Sequence, residues 1–137
     1  MLTGQCLCRS IRFEIDGRLG PIVYCHCSMC RKAQGAAFRS RAKVRAADFR
    51  FVSGEELLTF FASSPGTQRG FCRVCGSPIF SHRSDSPSEL RLRFGTFDAD
   101  PGVRPAFHFA VESKAPWHEI TDGLPRLNSQ GQPMGQS

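Results

Sequence analysis

Two close cysteine pairs, Cys6-Leu7-Cys8 and Cys72-Arg73-Val74-Cys75, are separated by a long stretch of chain. Each pair can deliver two sulfurs from one local turn, and two such pairs complete a tetrahedral thiolate site of the kind that holds zinc. A chain tied in this way must bring its first strand beside a segment past its midpoint. The ion that does so contributes folding free energy directly. Gly4, ahead of the first pair, permits a close approach, and Gly76 after the second lets the backbone turn around the sulfurs. The plainer reading is four buried free thiols, since reduced Cys packs like a small hydrophobe. Two pairs at ligand spacing favour the metal.

Three further thiols lie in Cys25-His26-Cys27-Ser28-Met29-Cys30, just after the strand-like Ile22-Val23-Tyr24. Residues two apart on a strand share a face, so Cys25 and Cys27 can point at one centre, and the gap before Cys30 lets the chain turn a third sulfur onto it. Three thiolates suit a soft or borderline cation and leave its fourth position open. A closed site would need His26 or another group as fourth ligand, but His26 should face away from its two neighbours. Cys27 and Cys30 also form a C-x-x-C, although the βαβ setting of thioredoxin-like redox chemistry is missing. Seven cysteines are an odd number, so a fully paired disulfide framework would leave one over. Four plus three divides them naturally.

Around these cysteines the chain is a single globular domain of mainly β character. Phe occurs twelve times against one Trp and one Tyr, and Phe favours strands. Ile11, Phe13 and Ile15 alternate with Arg12, Glu14 and Asp16, as in a half-buried strand. Phe38, Ser40, Ala42 and Val44 alternate with Arg39, Arg41, Lys43 and Arg45. That cationic stripe reads as a solvated sheet face. Further strands are expected over Phe49–Val52, Leu57–Phe61, Thr67–Phe71, Ile79–Phe80, Leu90–Phe94 and Ala106–Val111, with a helical turn at Arg31–Gln34 ended by Gly35. His108, between Phe107 and Phe109, either lines a site or sits on a solvated face. His82 and His118 read as surface residues, and Trp117 as a core or rim anchor.

Lys and Arg number 18 against 12 Asp and Glu, a net charge of +6. This favours anionic partners in general without implying nucleic acid. Binding of single strands would call for exposed aromatics among the cations, whereas most Phe fall on the apolar side of alternating strands. No stretch approaches the ~20 apolar residues of a membrane span, and the start lacks a signal-peptide pattern. A cytoplasmic setting, where thiols stay reduced, is expected.

Taken in order, Gly4-x-Cys6-x-Cys8, Cys25-His26-Cys27-x-x-Cys30-Arg31-Lys32, Phe71-Cys72-x-x-Cys75-Gly76, Ser113-Lys114-Ala115-Pro116-Trp117 and Asp122-Gly123-Leu124-Pro125 resemble the glutathione-dependent formaldehyde-activating enzyme family, which includes the centromere protein V domain. The resemblance implies a mainly β, Mss4-like fold with antiparallel sheets around a structural zinc on Cys6, Cys8, Cys72 and Cys75. It also implies a second, catalytic and more labile zinc on Cys25, Cys27 and Cys30, and a carbon–sulfur lyase activity that joins formaldehyde to glutathione as S-hydroxymethylglutathione. The zinc-binding domain would cover residues 1–125, with 126–137 as a flexible tail. Family members usually carry Gly after the second cysteine, where this chain has Arg9. The rival expectation is a non-catalytic zinc module that binds a thiol peptide, a protein or nucleic acid. Glutathione is the expected small-molecule partner, its carboxylates met by the Arg39-to-Arg45 stripe or by Arg31 and Lys32.

Overall fold

The computed structural model describes residues 1–135, which form two compact units. The first comprises Met1–Gly20 and Ala42–Val103, the second Pro21–Arg41 and residues from Arg104 onward. Among the described residues there are ten strands, one α-helix and four short 3₁₀ turns, so the chain is mainly β.

In the first unit, β1 (Leu2–Gln5), β2 (Arg12–Ile15) and β5 (Phe49–Ser53) make an antiparallel sheet in the order β1-β2-β5. The alternation in the sequence decides its inner face. Phe13 and Ile15 are buried while Arg12 is exposed. β6 (Leu58–Ser64), β7 (Thr67–Cys72), β8 (Pro78–Arg83) and β9 (Glu89–Arg93) follow as an antiparallel meander. Ile11, Phe13, Ile15, Val44, Ile79, Phe80, Leu90 and Leu92 form one apolar cluster with Cys6 and Cys72. Phe13 stacks on Phe49 at 5.2 Å and meets the Phe97 ring edge-on at 5.9 Å. Removing a buried ring of this kind costs about 3–5 kcal/mol. Gly4 lies so close to Phe13 that a Cβ there would sit 2.2 Å from the ring. The close approach read from the sequence is therefore real, and it is made to an aromatic ring. Not every Phe is core, since Phe60 and Phe61 of β6 are exposed.

The second unit holds β3 (Ile22–Cys25), helix α1 (Ser28–Gln34), the start of β4 (Arg39–Arg45) and β10 (Pro105–Phe109). β4 begins in this unit and ends in the first. β3 lies between β10, which runs parallel to it, and β4, which is antiparallel. Register places Phe109 and Arg39 on either side of Cys25, with His108 and Ser40 on either side of Tyr24. Helix α1 ends at Gly35, whose φ of 62° is the left-handed conformation that glycine adopts freely. Ile22, Val23, Ala110, Ala115 and Ile120 are buried in this unit, and beside them rings pack on one another: Tyr24 and Phe38 at 4.3 Å, His26 and Phe38 at 5.2 Å, Tyr24 and His108 at 5.3 Å.

Residues 126–134 lie within the stretch whose composition suggests a tail. They run beside β10, with Leu127 N–H donating to His108 O and Val111 N–H to Leu127 O. Asn128 Oδ1 accepts the N–H groups of Gln130 and Gln132 in the turn that follows. These ties are made largely by backbone, which composition does not reveal. Residues 136 and 137 lie outside the described residues.

Candidate metal centres

The tetrad forms where β1 leaves its sheet and where β7 turns into β8. Cys6 N–H donates to Ile11 O, and the returning Ile11 N–H points at Cys6 Sγ at 3.3 Å. Arg9 N–H closes the turn onto Cys6 O, with Arg9 at φ 67°. A left-handed residue after the second cysteine accounts for glycine at this place in the family pattern, and Arg9 holds the same turn without it. On the other side Gly76, at φ 80°, donates to Cys72 O at 2.8 Å and wraps the backbone around the sulfurs. Leu7 N–H donates to Ser77 Oγ at 2.9 Å and so joins the two turns.

All four sulfurs lie within 4.8 Å of one another. Cys6 and Cys8 sulfurs are 3.5 Å apart, and those of Cys8 and Cys72 are 3.8 Å apart. Tetrahedral coordination with Zn–S bonds of ~2.3 Å has sulfur–sulfur edges of roughly 3.8 Å. The donor set therefore fits a zinc-sized ion. The thiols are not electrostatically alike. Burial pushes Cys6 up to about 11. Burial also raises Cys75, but hydrogen bonds from the Ser77 hydroxyl and backbone and from the Cys8 backbone outweigh it and bring that thiol down to about 5.

The trio is assembled at the junction of β3 and α1. Cys25 ends the strand, Cys27 is the N-cap of the helix, and Cys30 lies on its first turn. Cys27 Sγ accepts the Cys30 N–H at 3.2 Å, so the capping requirement itself turns two of the sulfurs together. Cys25, Cys27 and Cys30 sulfurs lie within 4.8 Å of one another, and no fourth His, Cys, Asp or Glu ligand atom joins them among the described residues. Hydrogen bonds with Cys27 and Cys30, and then burial, push the Cys25 thiol far above its ordinary value. Deprotonated together, three sulfurs at such range would repel one another, and a cation is what would hold them as thiolates. Ala110 and Phe109 pack against the trio, and Ala110, at φ 57°, opens the 3₁₀ turn Val111–Ser113.

Two cations near the trio differ from expectation. Arg39 is buried, at 8% exposure, and sits opposite Cys25. It is therefore no part of a solvated face, although Arg45 at the other end of β4 is exposed. The register puts the guanidinium beside thiols, where it favours their anionic forms. Arg31 Nε donates to Ser113 O at 3.1 Å and to His26 O at 3.4 Å, tying the trio's loop to the following turn.

The largest surprise is polar and buried. His26 and His108 are 0% and 1% exposed. His26 Nε2 lies 2.8 Å from His108 Nδ1, and His108 Nε2 lies 2.9 Å from Asp122 Oδ2. His108 is thus neither solvated nor a site-lining residue, but the middle of a chain of three groups. His118 faces the His26 ring at 6.1 Å, which removes it from the ordinary surface residues. Burial, reinforced by the charges of His108, His118, Lys114 and Arg31, lowers His26 to about 4. The strand ends at Cys25, so it is not strand alternation but the turn into the helix, capped by Cys27, that carries His26, whose ring goes to His108 and joins no sulfur cluster. Asp122 opens a segment that the sequence singles out, Asp122-Gly123-Leu124-Pro125, but nothing in that segment names His108 as its partner. A concavity of about 600 Å³ lies nearby in the same unit, lined by Lys114, Trp117, His118, Glu119 and Arg126. Trp117 stands on its rim, 72% exposed.

No helix of the described residues is long and apolar enough to cross a membrane. In solved structures the fold is similar to that of a Rhodobacter sphaeroides protein, with a TM-score of 0.62 and 26% identity over 76% of this chain and 99% of that one. A Halomonas elongata protein provisionally named as a glutathione-dependent formaldehyde-activating enzyme is 29% identical over 128 residues, which is 88% of this chain and 81% of that protein. The family profile described as glutathione-dependent formaldehyde-activating enzyme matches residues 1–113, a span holding all seven cysteines and both sulfur clusters. On that match the chain belongs to the glutathione-dependent formaldehyde-activating enzyme family.

Proposed function

We propose that this protein is a zinc-dependent carbon–sulfur lyase that interconverts a thiol and a small aldehyde with their S-hydroxymethyl-type adduct, glutathione and formaldehyde being the family's namesake pair. Cys6, Cys8, Cys72 and Cys75 hold a structural zinc. Cys25, Cys27 and Cys30 hold a second, exchangeable one. The observation that carries this reading is the convergence of three sulfurs without a fourth ligand among the described residues, in a chain of this family. Bound at the trio, zinc supplies an exchangeable position at which a substrate thiol is favoured as its thiolate.

The chain's own residues shape the rest. Burial of Cys25 and Cys30 keeps water from two of the ligands. Arg39, across the strand pair from Cys25, offsets the excess negative charge of three thiolates. Arg31 fixes the loop rather than binding substrate through its Nε, since that donor is spent on backbone carbonyls. In the forward direction a sulfur–carbon bond forms, the carbonyl π pair moves to oxygen, and the thiol proton ends on that oxygen. A reducing cytoplasmic setting suits exchangeable thiolates.

The test is acceleration of exchange between ¹³C-formaldehyde and its glutathione adduct, followed by NMR, in the wild type and in Cys27→Ser. The wild type should speed exchange. Cys27→Ser should fold, keep one zinc and leave exchange at the uncatalysed rate. Equal acceleration by the variant would refute the catalytic role, and no acceleration by the wild type would leave a non-catalytic zinc module.

A further inference from the structure

We infer that Asp122 is a positioning residue for the Cys25–Cys30 element, acting through His108 to hold His26 in a single tautomer. The inference rests on the reading that the trio holds a metal. Its argument starts from the Asp122 carboxylate, which can only accept hydrogen bonds. Both its oxygens lie within 3.0 Å of His108 Nε2, so that nitrogen carries the proton. In a neutral ring the other nitrogen is then bare. His108 Nδ1 therefore accepts, and His26 Nε2, 2.8 Å away, donates. His26 Nδ1 is left without a proton. That atom is buried and has no hydrogen-bond partner among the described residues, and it lies among rings that include Phe38 and His118. The reverse order would bury an orphan N–H there, and unpaired buried donors are the rarer case.

His26 stands between two thiols of the trio. Its backbone N–H donates to Phe109 O at 2.9 Å, its carbonyl accepts from Arg31, and its ring is fixed by the chain from Asp122. Asp122 is itself held, with Oδ1 accepting the Leu124 N–H at 3.0 Å. His108 N–H donates to Pro125 O at 2.9 Å, so the 122–125 loop is clamped to β10 at the same residue. The chain thus joins that loop, β10 and the cysteine loop. Moving His26 displaces the attachment points of Cys25 and Cys27 together. Groups that orient a metal site from behind typically change metal affinity or activity by about 10–100-fold when removed.

The test uses the full chain and zinc itself. Long-range ¹H–¹⁵N correlations of the imidazoles at mildly alkaline pH report tautomers, and chelator competition reports the affinity of the weaker zinc. In the wild type, His26 and His108 should both carry the proton on Nε2. Asp122→Ala should give mixed tautomers at His26 and weaken the second zinc about 10–100-fold while leaving the first unchanged. Asp122→Asn, which keeps an acceptor oxygen toward His108 and Leu124, should stay within a few-fold of wild type; it also serves should the alanine variant not fold. A proton on His26 Nδ1 in the wild type overturns the inference. So does Asp122→Ala with unchanged zinc affinity, or an asparagine variant as impaired as a folded alanine one. Wild-type protein that takes up a single zinc overturns the metal reading and the positioning role with it. The tautomer spectra, independent of zinc count, show separately whether the polar chain exists.

Discussion

The sulfurs of Cys8 and Cys72 lie 3.8 Å apart although 64 positions separate the two residues in sequence. Cys72 is fully buried and belongs to the main apolar cluster. The tetrad is therefore continuous with the core of the first unit, and losing it should be felt as loss of fold. Cys72→Ser is expected to cost more than about 4 kcal/mol, the range associated with losing a structural metal. Chemical denaturation of the wild type and the variant, each with zinc present, measures this. A variant within about 1 kcal/mol of wild type, the cost of an ordinary substitution, would show that no structural ion sits there.

Arg9 at φ 67° pays for the turn between Cys8 and Ile11 with a strained backbone. The left-handed region costs a non-glycine residue roughly 1–2 kcal/mol, while glycine adds freedom to the unfolded chain worth about 0.4–1 kcal/mol. Arg9→Gly should therefore stabilise the protein by up to about 1.6 kcal/mol. The shift in thermal midpoint is the readout, and a lower midpoint would contradict the strain.

Gly4 is closed to substitution for a different reason. A Cβ there would stand 2.2 Å from the Phe13 ring and 2.7 Å from the Thr96 carbonyl. The ring can shift only at the expense of its stacking, and overpacking of this kind costs about 1–3 kcal/mol. Gly4→Ala should lower the denaturation midpoint, and Phe13→Leu in the same chain should recover part of the loss. Additive losses would show that the two positions do not compete for space.

Glu112 supplies a pH test away from the sulfurs. Its carboxylate accepts the Ser129 N–H at 3.0 Å and the Ser129 hydroxyl at 2.7 Å, and these bonds hold its carboxyl below the ordinary value. Since the folded value is the lower one, the tie is fully present above the unfolded value and is lost as pH falls through the folded one. A ¹³C carboxyl titration should place Glu112 below 4.5, the ordinary value. Ser129→Ala should bring it back, and equal midpoints in both proteins would refute the contact.

How much of this was legible in the sequence follows from the range of each interaction. Cysteine grouping is set by local turns, so spacing alone points to the right partners, and Gly76 announces its turn. The alternation of Phe13 and Ile15 names the inner face of β2. The reading of a solvated face fails at Arg39 because charge alternation does not say which cation meets the thiols. Only the β3–β4 register, with Cys25 opposite Arg39, decides that. For the same reason the contact of His108 with Asp122 is not legible, although both residues stand in segments that the sequence singles out. Their meeting with His26 needs the parallel β10–β3 pairing and the clamp at Pro125, neither of which leaves a periodic trace. Phe60 and Phe61 show the limit of composition, as aromatic strand residues that remain exposed.

The most direct measurement is zinc stoichiometry on purified protein before and after glutathione or a chelator is added. Two zinc ions per chain are expected, one resistant and one that exchanges, with Cys27→Ser losing only the exchangeable ion. A single zinc in the wild type, or two that respond alike, would contradict the division of the cysteines into a locked four and an open three.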